Sequence, residues 1–232
     1  MRRRFLAIIS LAISIFMIDA RPAQAQWGWT FYSVGEFDTN DVVFALAGIS
    51  IAPQRMGWVP VAGIQAYWLR FPIGTSDQSV ISVLPSVGLG RNFDGGAFQV
   101  RVGYNFSNED IRAANVTADV GDGVVNTAQL DYWGTGGLGA QGIMSYNYGS
   151  ESLWARGRVT TRLTDYGSAG QIRIGGEVAY LDGNGFSSVQ PGVIVGFHPS
   201  AGTIINAGVG KRFNDGEDAT YFKVELVLTP GR

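Results

Sequence analysis

The sequence predicts an all-β fold, a closed antiparallel transmembrane β-barrel of about 10–12 strands. Three observations carry that expectation. The run from Leu153 to Leu163 puts Leu153, Ala155, Gly157, Val159 and Leu163 at odd positions and Arg156, Arg158, Thr160 and Arg162 at even ones. Successive side chains on a strand point to opposite faces, so this segment has one apolar face and one cationic face. The same alternation recurs along the chain with no long helix between strands, and an export-type segment stands in front of it. A greasy exterior around a polar interior accounts for all three. A soluble secreted β-sandwich is the alternative, because it also alternates.

The first element is the export segment. Arg2-Arg3-Arg4 precedes an apolar and small run from Phe5 to Ile18, and Ala23-Gln24-Ala25 offers a cleavage site before Gln26. That run falls short of the roughly 20 residues of a spanning helix, and Asp19, Arg21 and Pro22 follow it at once. The expected organisation is a signal peptide over 1–25 and one outer-membrane barrel domain over 26–232.

The strands then follow in order. Trp27–Glu36 alternates aromatic and small residues, Asn40-Asp41 turns it into Val42–Ile51, and Val59–Phe71 ends in Tyr67-Trp68 and beyond. Val80–Arg91 comes next, with Pro85 expected to weaken its middle or mark a bulge. Asp94-Gly95-Gly96 is a hairpin signal leading to Ala97–Phe106, where Phe98, Val100, Val102, Tyr104 and Phe106 oppose Gln99, Arg101, Gly103 and Asn105. Ser107–Thr127 breaks the pattern and reads as a long outward loop. Ala128–Tyr148 holds one long strand or two short ones. The 153–163 run ends at Asp165-Tyr166-Gly167, and Gly170–Tyr180, Val189–Phe197, Thr203–Phe213 and Thr220–Thr229 complete the set. Bacterial barrels have an even strand number, which favours twelve.

Composition narrows the function. Of 17 basic and 19 acidic residues, loss of Arg2, Arg3, Arg4, Arg21 and Asp19 leaves 13 and 18, a net charge of −5. Nucleic-acid binding needs a basic stripe and is therefore not expected. With no cysteine there is neither disulfide nor thiol chemistry. Charged residues at 16% and 33 glycines are unusual for a soluble secreted domain and suit a barrel whose outer face meets lipid. No cofactor is expected.

The candidate site is a lumen charge cluster: Arg101, Arg156, Arg158, Arg162, Arg173, Glu177, Lys223 and Glu225. Its first reading is structural, ion pairs that need each other inside a narrow barrel. Its second is an anion-attracting constriction or a sugar-binding lining. Trp27, Trp29, Trp68, Tyr104, Trp133, Tyr148 and Tyr180 lie near strand ends and read as interfacial girdles. Gly134-Thr135-Gly136-Gly137-Leu138-Gly139 fits G-x-G-x-x-G but lacks the helix that a dinucleotide site requires. His198 and Ser200, with Glu217 or Glu225, resemble the His-x-Ser pair and distant acid of outer-membrane lipid A deacylases. Pro199 and the turn-like Ser200-Ala201-Gly202 weigh against a working pair. Glu109, Asp110, Asp119 and Asp122 match no cation-loop pattern and read as a solvated loop.

The C-terminal half resembles the cellulose biosynthesis protein BcsS family over about 80 residues. The residues that carry the likeness are Ser152-Leu153-Trp154-Ala155-Arg156-Gly157-Arg158, Gly175-Gly176-Glu177 with Leu181-Asp182-Gly183-Asn184, Gly208-Val209-Gly210-Lys211-Arg212, and Asn214-Asp215-Gly216-Glu217-Asp218. The resemblance implies a non-enzymatic outer-membrane barrel that assists exopolysaccharide production or secretion, with cellulose as the candidate polymer. It implies outer-membrane lipid and polysaccharide or cellulose-export machinery as partners. A lipid A-modifying hydrolase and a passive small-solute pore are the alternatives. Bacterial barrels commonly end on an aromatic residue, whereas this chain ends Leu228-Thr229-Pro230-Gly231-Arg232.

Overall fold

A computed structural model of the chain describes residues 27–73, 76–108, 121–134, 137–166, 170–183, 186–200, 202–214 and 218–229. The export segment and Glu109, Asp110, Asp119 and Glu217 lie outside them. Among the described residues the chain forms twelve strands: β1 (Trp27–Asp38), β2 (Val43–Pro53), β3 (Gly57–Ile73), β4 (Ser76–Phe93), β5 (Gly96–Ser107), β6 (Gly123–Trp133), β7 (Leu138–Asn147), β8 (Ser152–Tyr166), β9 (Gly170–Gly183), β10 (Phe186–Ser200), β11 (Thr203–Asn214) and β12 (Ala219–Leu228). Every strand pairs antiparallel with its sequence neighbours, and β1 pairs with β12 from Phe31↔Leu228 to Asp38↔Tyr221. The barrel is closed. No strand edge is left to template aggregation, and every ladder has a partner.

The Asp94-Gly95 hairpin forms as expected, with Phe93↔Gly96 closing it and Gly95 at φ 75°. Ala128–Tyr148 resolves into two strands, and β6 begins at Gly123, inside the stretch expected to be loop. Pro85 marks no bulge. The β4–β5 register is the same on both sides of it, and the pairing skips only Leu84 and Pro85, where the missing N–H leaves a gap in the ladder. Register shifts occur instead between Phe197 and Ser200 and between Arg162 and Thr164. The G-x-G-x-x-G match is the β6–β7 connection, with a strand on either side.

The outer face is apolar. Val87, Leu89, Val100, Val102, Val159, Ile174, Val178, Val193, Val195 and Val224 are all exposed. Aromatics rim both ends. Trp27, Trp29, Trp58 and Tyr132 are exposed at the end of the short turns, and Trp68, Phe106, Tyr148 and Tyr180 toward the end where β5 gives way to β6, the loop end. Tyr104 packs on Phe106 with ring centroids 4.8 Å apart. Long loops face outward in such barrels and short turns face the periplasm, which orients the molecule.

The interior departs from a uniformly polar lumen. Leu69, Phe71 and Val80 form a buried apolar cluster with Val42, Phe44 and Tyr67, and Val59, Val61 and Leu84 are also buried. One wall, β2–β4, is therefore largely apolar inside, and the charges gather on the opposite wall. Between these, Tyr221 is 2% exposed and lies over Gly192 and Gly210. A Cβ on Gly192 would overlap the Tyr221 hydroxyl, and one on Gly210 would come within 2.7 Å of its ring. Two glycines facing each other across β10–β11 thus make a notch for one aromatic ring.

Candidate functional site

The charged wall is built by strand alternation. On β8, Arg156 and Arg158 share the inward parity; on β9, Glu177; on β12, Lys223 and Glu225. Arg158 and Glu177 are direct cross-strand partners. β10 and β11 separate β9 from β12, so the Lys223–Glu177 contact must span two strands and the contacts of Arg156 and Arg158 with Glu225 three. They can because the residues paired with Glu177 and Lys223 on those strands are Gly192 and Gly208. Side chains from β8, β9 and β12 meet over that low floor.

Arg158 donates to Glu177 Oε2 from Nε at 3.1 Å and Nη2 at 2.5 Å, and Nη2 also reaches both oxygens of Glu225 at 2.8 and 2.7 Å. Arg156 Nη1 donates to Glu225 Oε1 at 2.6 Å, and its Nη2 to Gln141 Oε1 at 3.0 Å. Lys223 pairs with Glu177 and sits 3.7 Å from Glu225 Oε1. Asn206 Nδ2 donates to Glu225 Oε2 at 3.1 Å. Three cations thus share two carboxylates. Charges taken out of water hold only when geometry and extra hydrogen bonds repay desolvation, and this network supplies both.

Not all of the expected cluster joins it. Arg162 sits at the rim with its side chain 44% exposed and pairs with Asp165 at 3.5 Å. It lies at the edge of the Arg162/Thr164 register shift, beyond the regular inward row. Arg173 is buried at the turn end, donating to Thr160, Gln171 and the Gly137 carbonyl, with its guanidinium 5.4 Å from the Trp133 ring. Trp133 is no girdle residue: it has the parity of Thr127, Gln129 and Asp131 and lines the lumen with them. Arg101, on β5, stands apart beside the Tyr32 hydroxyl. Tyr32 itself donates to Gln65 Oε1 at 2.9 Å.

A second network was not expected from the sequence. Arg212 on β11 reaches past β12 to Glu36 at 2.5 Å and to Asp38, both on β1. Asp38 Oδ1 also accepts from the backbone N–H groups of Asn40 and Val42, which fixes the β1–β2 turn. The signal for Arg212 was its parity with Gly208 and Gly210; its partners lie 176 and 174 residues away, beyond the reach of any local pattern.

His198 faces the lumen and meets the Trp133 ring edge-on at 6.0 Å. Ser200 is exposed beyond the Phe197/Ser200 register shift, and Glu225 is held by Arg156 and Arg158. No carboxylate pairs with His198 among the described residues, and these residues assemble no nucleophile–base–acid chain. Asp122 accepts the Ser107 N–H at 2.6 Å and ties the residue before β6 to the end of β5.

The networks do not fill the barrel. A cavity of about 960 Å³ runs from Gln54 and Arg55 at the turn end to Val42 and Ser188 toward the loop end.

No protein-family model matches the sequence, and no curated protein matches it either. Solved structures do. The COG4313 outer membrane channel from Pseudomonas putida F1 aligns with a TM-score of 0.54 and 10% identity over 88% of this chain and 94% of that one. A KdgM porin aligns with a TM-score of 0.51 and 11% identity over 86% and 98%. The KdgM porin in complex with disordered oligogalacturonate aligns at 0.50 and 10% over the same shares. The chain has the fold of an outer-membrane channel. At such low identity the likeness is one of fold alone. The apolar belt and aromatic rims agree with it, and the outer membrane is where this porin-like barrel resides.

Proposed function

We propose that this barrel is a non-enzymatic outer-membrane accessory of exopolysaccharide production or secretion that admits a polar ligand to its lumen. The cavity carries the reading. Its 960 Å³ are lined by amides, hydroxyls and guanidiniums as well as by the apolar wall, a mixture suited to the hydroxyl edges and C–H faces of sugars. The Trp154-Ala155-Arg156 strand and the Gly175-Gly176-Glu177 segment, which resemble the BcsS family, favour cellulose as the linked polymer. One structure of similar fold is a porin in complex with oligogalacturonate, and the reading extends a saccharide ligand to this chain.

The purified barrel in planar bilayers is expected to give stepwise conductance, and deletion of its gene to lower the secreted polysaccharide. A barrel that passes no current would end the passage reading. Conductance with unchanged polysaccharide output would leave a pore without the accessory role. The hydrolase alternative is disfavoured by position, because His198 faces the lumen whereas lipid acyl chains lie against the outer wall. His198→Ala is expected to leave lipid A acylation unchanged by mass spectrometry, and a loss of deacylation would restore the enzyme.

A further inference from the structure

Two buried guanidiniums in the lumen have no countercharge within 4 Å among the described residues. Arg101 is 7% exposed and Arg173 5% exposed, and among the described residues the ion pairs within 4 Å involve neither. Arg173 directs its donors to neutral acceptors on Thr160, Gln171 and Gly137. Arg101 is less well served: its Nε is buried with no hydrogen-bond partner. An uncompensated buried charge is costly, so a fold that keeps one at a cavity wall holds a place for an anion.

The setting agrees. The cavity lining includes Arg55, Arg101, Arg156, Arg158, Arg173, Arg212 and Lys223 against the carboxylates Glu36, Asp131, Glu177 and Glu225. An acidic chain therefore encloses a cationic lumen. Tyr32, Gln65, Gln99, Thr127 and Gln129 line the same cavity as Arg101, and Arg101 and Thr127 are cross-strand partners. These groups give and take hydrogen bonds as sugar hydroxyls do. On β3, Val59 and Val61 lie on the turn side of Gln65 and present an apolar strip.

We infer that Arg101 recognises the acid group of a carboxylate-bearing sugar, a uronic acid or a short chain of them, in the lumen. One uncompensated guanidinium matches a monoanion and binds a carboxylate through paired N–H donors. The second charge of a phosphate would go unmatched there. The site rests on the proposal that a polar ligand enters the lumen, and it is independent of the cellulose motif, since cellulose is neutral.

Calorimetric titration of the detergent-purified barrel tests it, with sodium glucuronate as the probe and glucose, cellobiose and inorganic phosphate as controls. Glucuronate is expected to bind at least ten-fold more tightly than any control. Arg101→Gln should weaken it about ten- to hundred-fold, as loss of a charged hydrogen bond does, and Arg101→Lys should keep part of the affinity. Unshifted heat-modifiable migration of both variants on gels would show that they fold; should Arg101→Gln not fold, the wild-type controls and Arg101→Lys still decide. No heat from glucuronate, equal binding of glucose, cellobiose or phosphate, or wild-type affinity in folded Arg101→Gln would overturn the site. Glucuronate binding without conductance removes passage and keeps the site. Conductance that glucuronate does not block, unchanged in Arg101→Gln, keeps passage and removes the site.

Discussion

At the scale of single residues, the lumen separates charges that hold the barrel from charges that are free for other work. Arg158 is the centre of the first kind: Arg156 and Lys223 also pair with both carboxylates, but among the described residues Arg158 is the cation that donates hydrogen bonds to both Glu177 and Glu225. Arg158→Ala should destabilise the barrel by about 1.5–3 kcal/mol, because it removes charged hydrogen bonds to two buried carboxylates and leaves Glu177 with Lys223 and Glu225 with Arg156 and Lys223. Arg162→Ala, which removes an exposed pair with Asp165, should cost less than about 1 kcal/mol. Urea unfolding in lipid vesicles measures both, and equal midpoints would refute the distinction. The inward parity of Arg101, Arg156, Arg158, Arg173, Glu177, Lys223 and Glu225 was legible from alternation alone. The Arg158–Glu177 pair also follows from a hairpin turning near Gly167. The contacts of β12 with β8 and β9 were not legible, because they depend on ring closure and on Gly192 and Gly208 leaving room beneath them.

At the scale of strands, the face that meets lipid governs tolerance. Val193 lies mid-way along β10 and is 60% exposed, and Leu163 lies near the turn end of β8 and is 65% exposed. Equal exposure does not mean equal depth. Val193→Arg should cost about 2–4 kcal/mol and Leu163→Arg about 0–1 kcal/mol, as the penalty falls from the bilayer midplane to its interface. Unfolding free energies in vesicles test this, and similar costs at both sites would contradict the assigned depths. Strands whose two faces differ chemically, such as β5, β8 and β9, were readable from sequence to within a few residues. The bounds of β3 were read equally closely, but its inner face was not: Val59, Val61, Leu69 and Phe71 on the inner side face Trp58, Ile64 and Trp68 on the outer, and both sets are apolar or aromatic. Periodicity cannot tell core from lipid when both are apolar, and so the apolar wall went unseen. The same blindness put Trp133 among the girdles, since proximity to a strand end says nothing of its face.

At the scale of the whole molecule, a single closed sheet of about 10–12 strands followed from the hairpin rhythm, with the even number of bacterial barrels favouring the observed twelve, whereas a cavity beside the ion pairs did not. Orientation can be tested directly because the chain has no cysteine. Asp218→Cys at the loop end should react with a membrane-impermeant maleimide on intact cells, and Asp94→Cys at the turn end should react only after the outer membrane is opened; the reverse pattern would invert the barrel. The Tyr221 notch bears on how this one ring of strands is reached. Alternation punishes a slip of one residue, because every side chain then changes face. A slip of two leaves inside inside and outside outside, and the hydrophobic pattern is indifferent to it. Moving β12 by two against β11 would set the Tyr221 ring on Gly208 or against Arg212 in place of Gly210, and would carry Lys223 and Glu225 away from their partners. The ring and its two glycines therefore act as a key that admits one even-numbered alignment among several, which is the discrimination that greasy-out, polar-in patterning lacks.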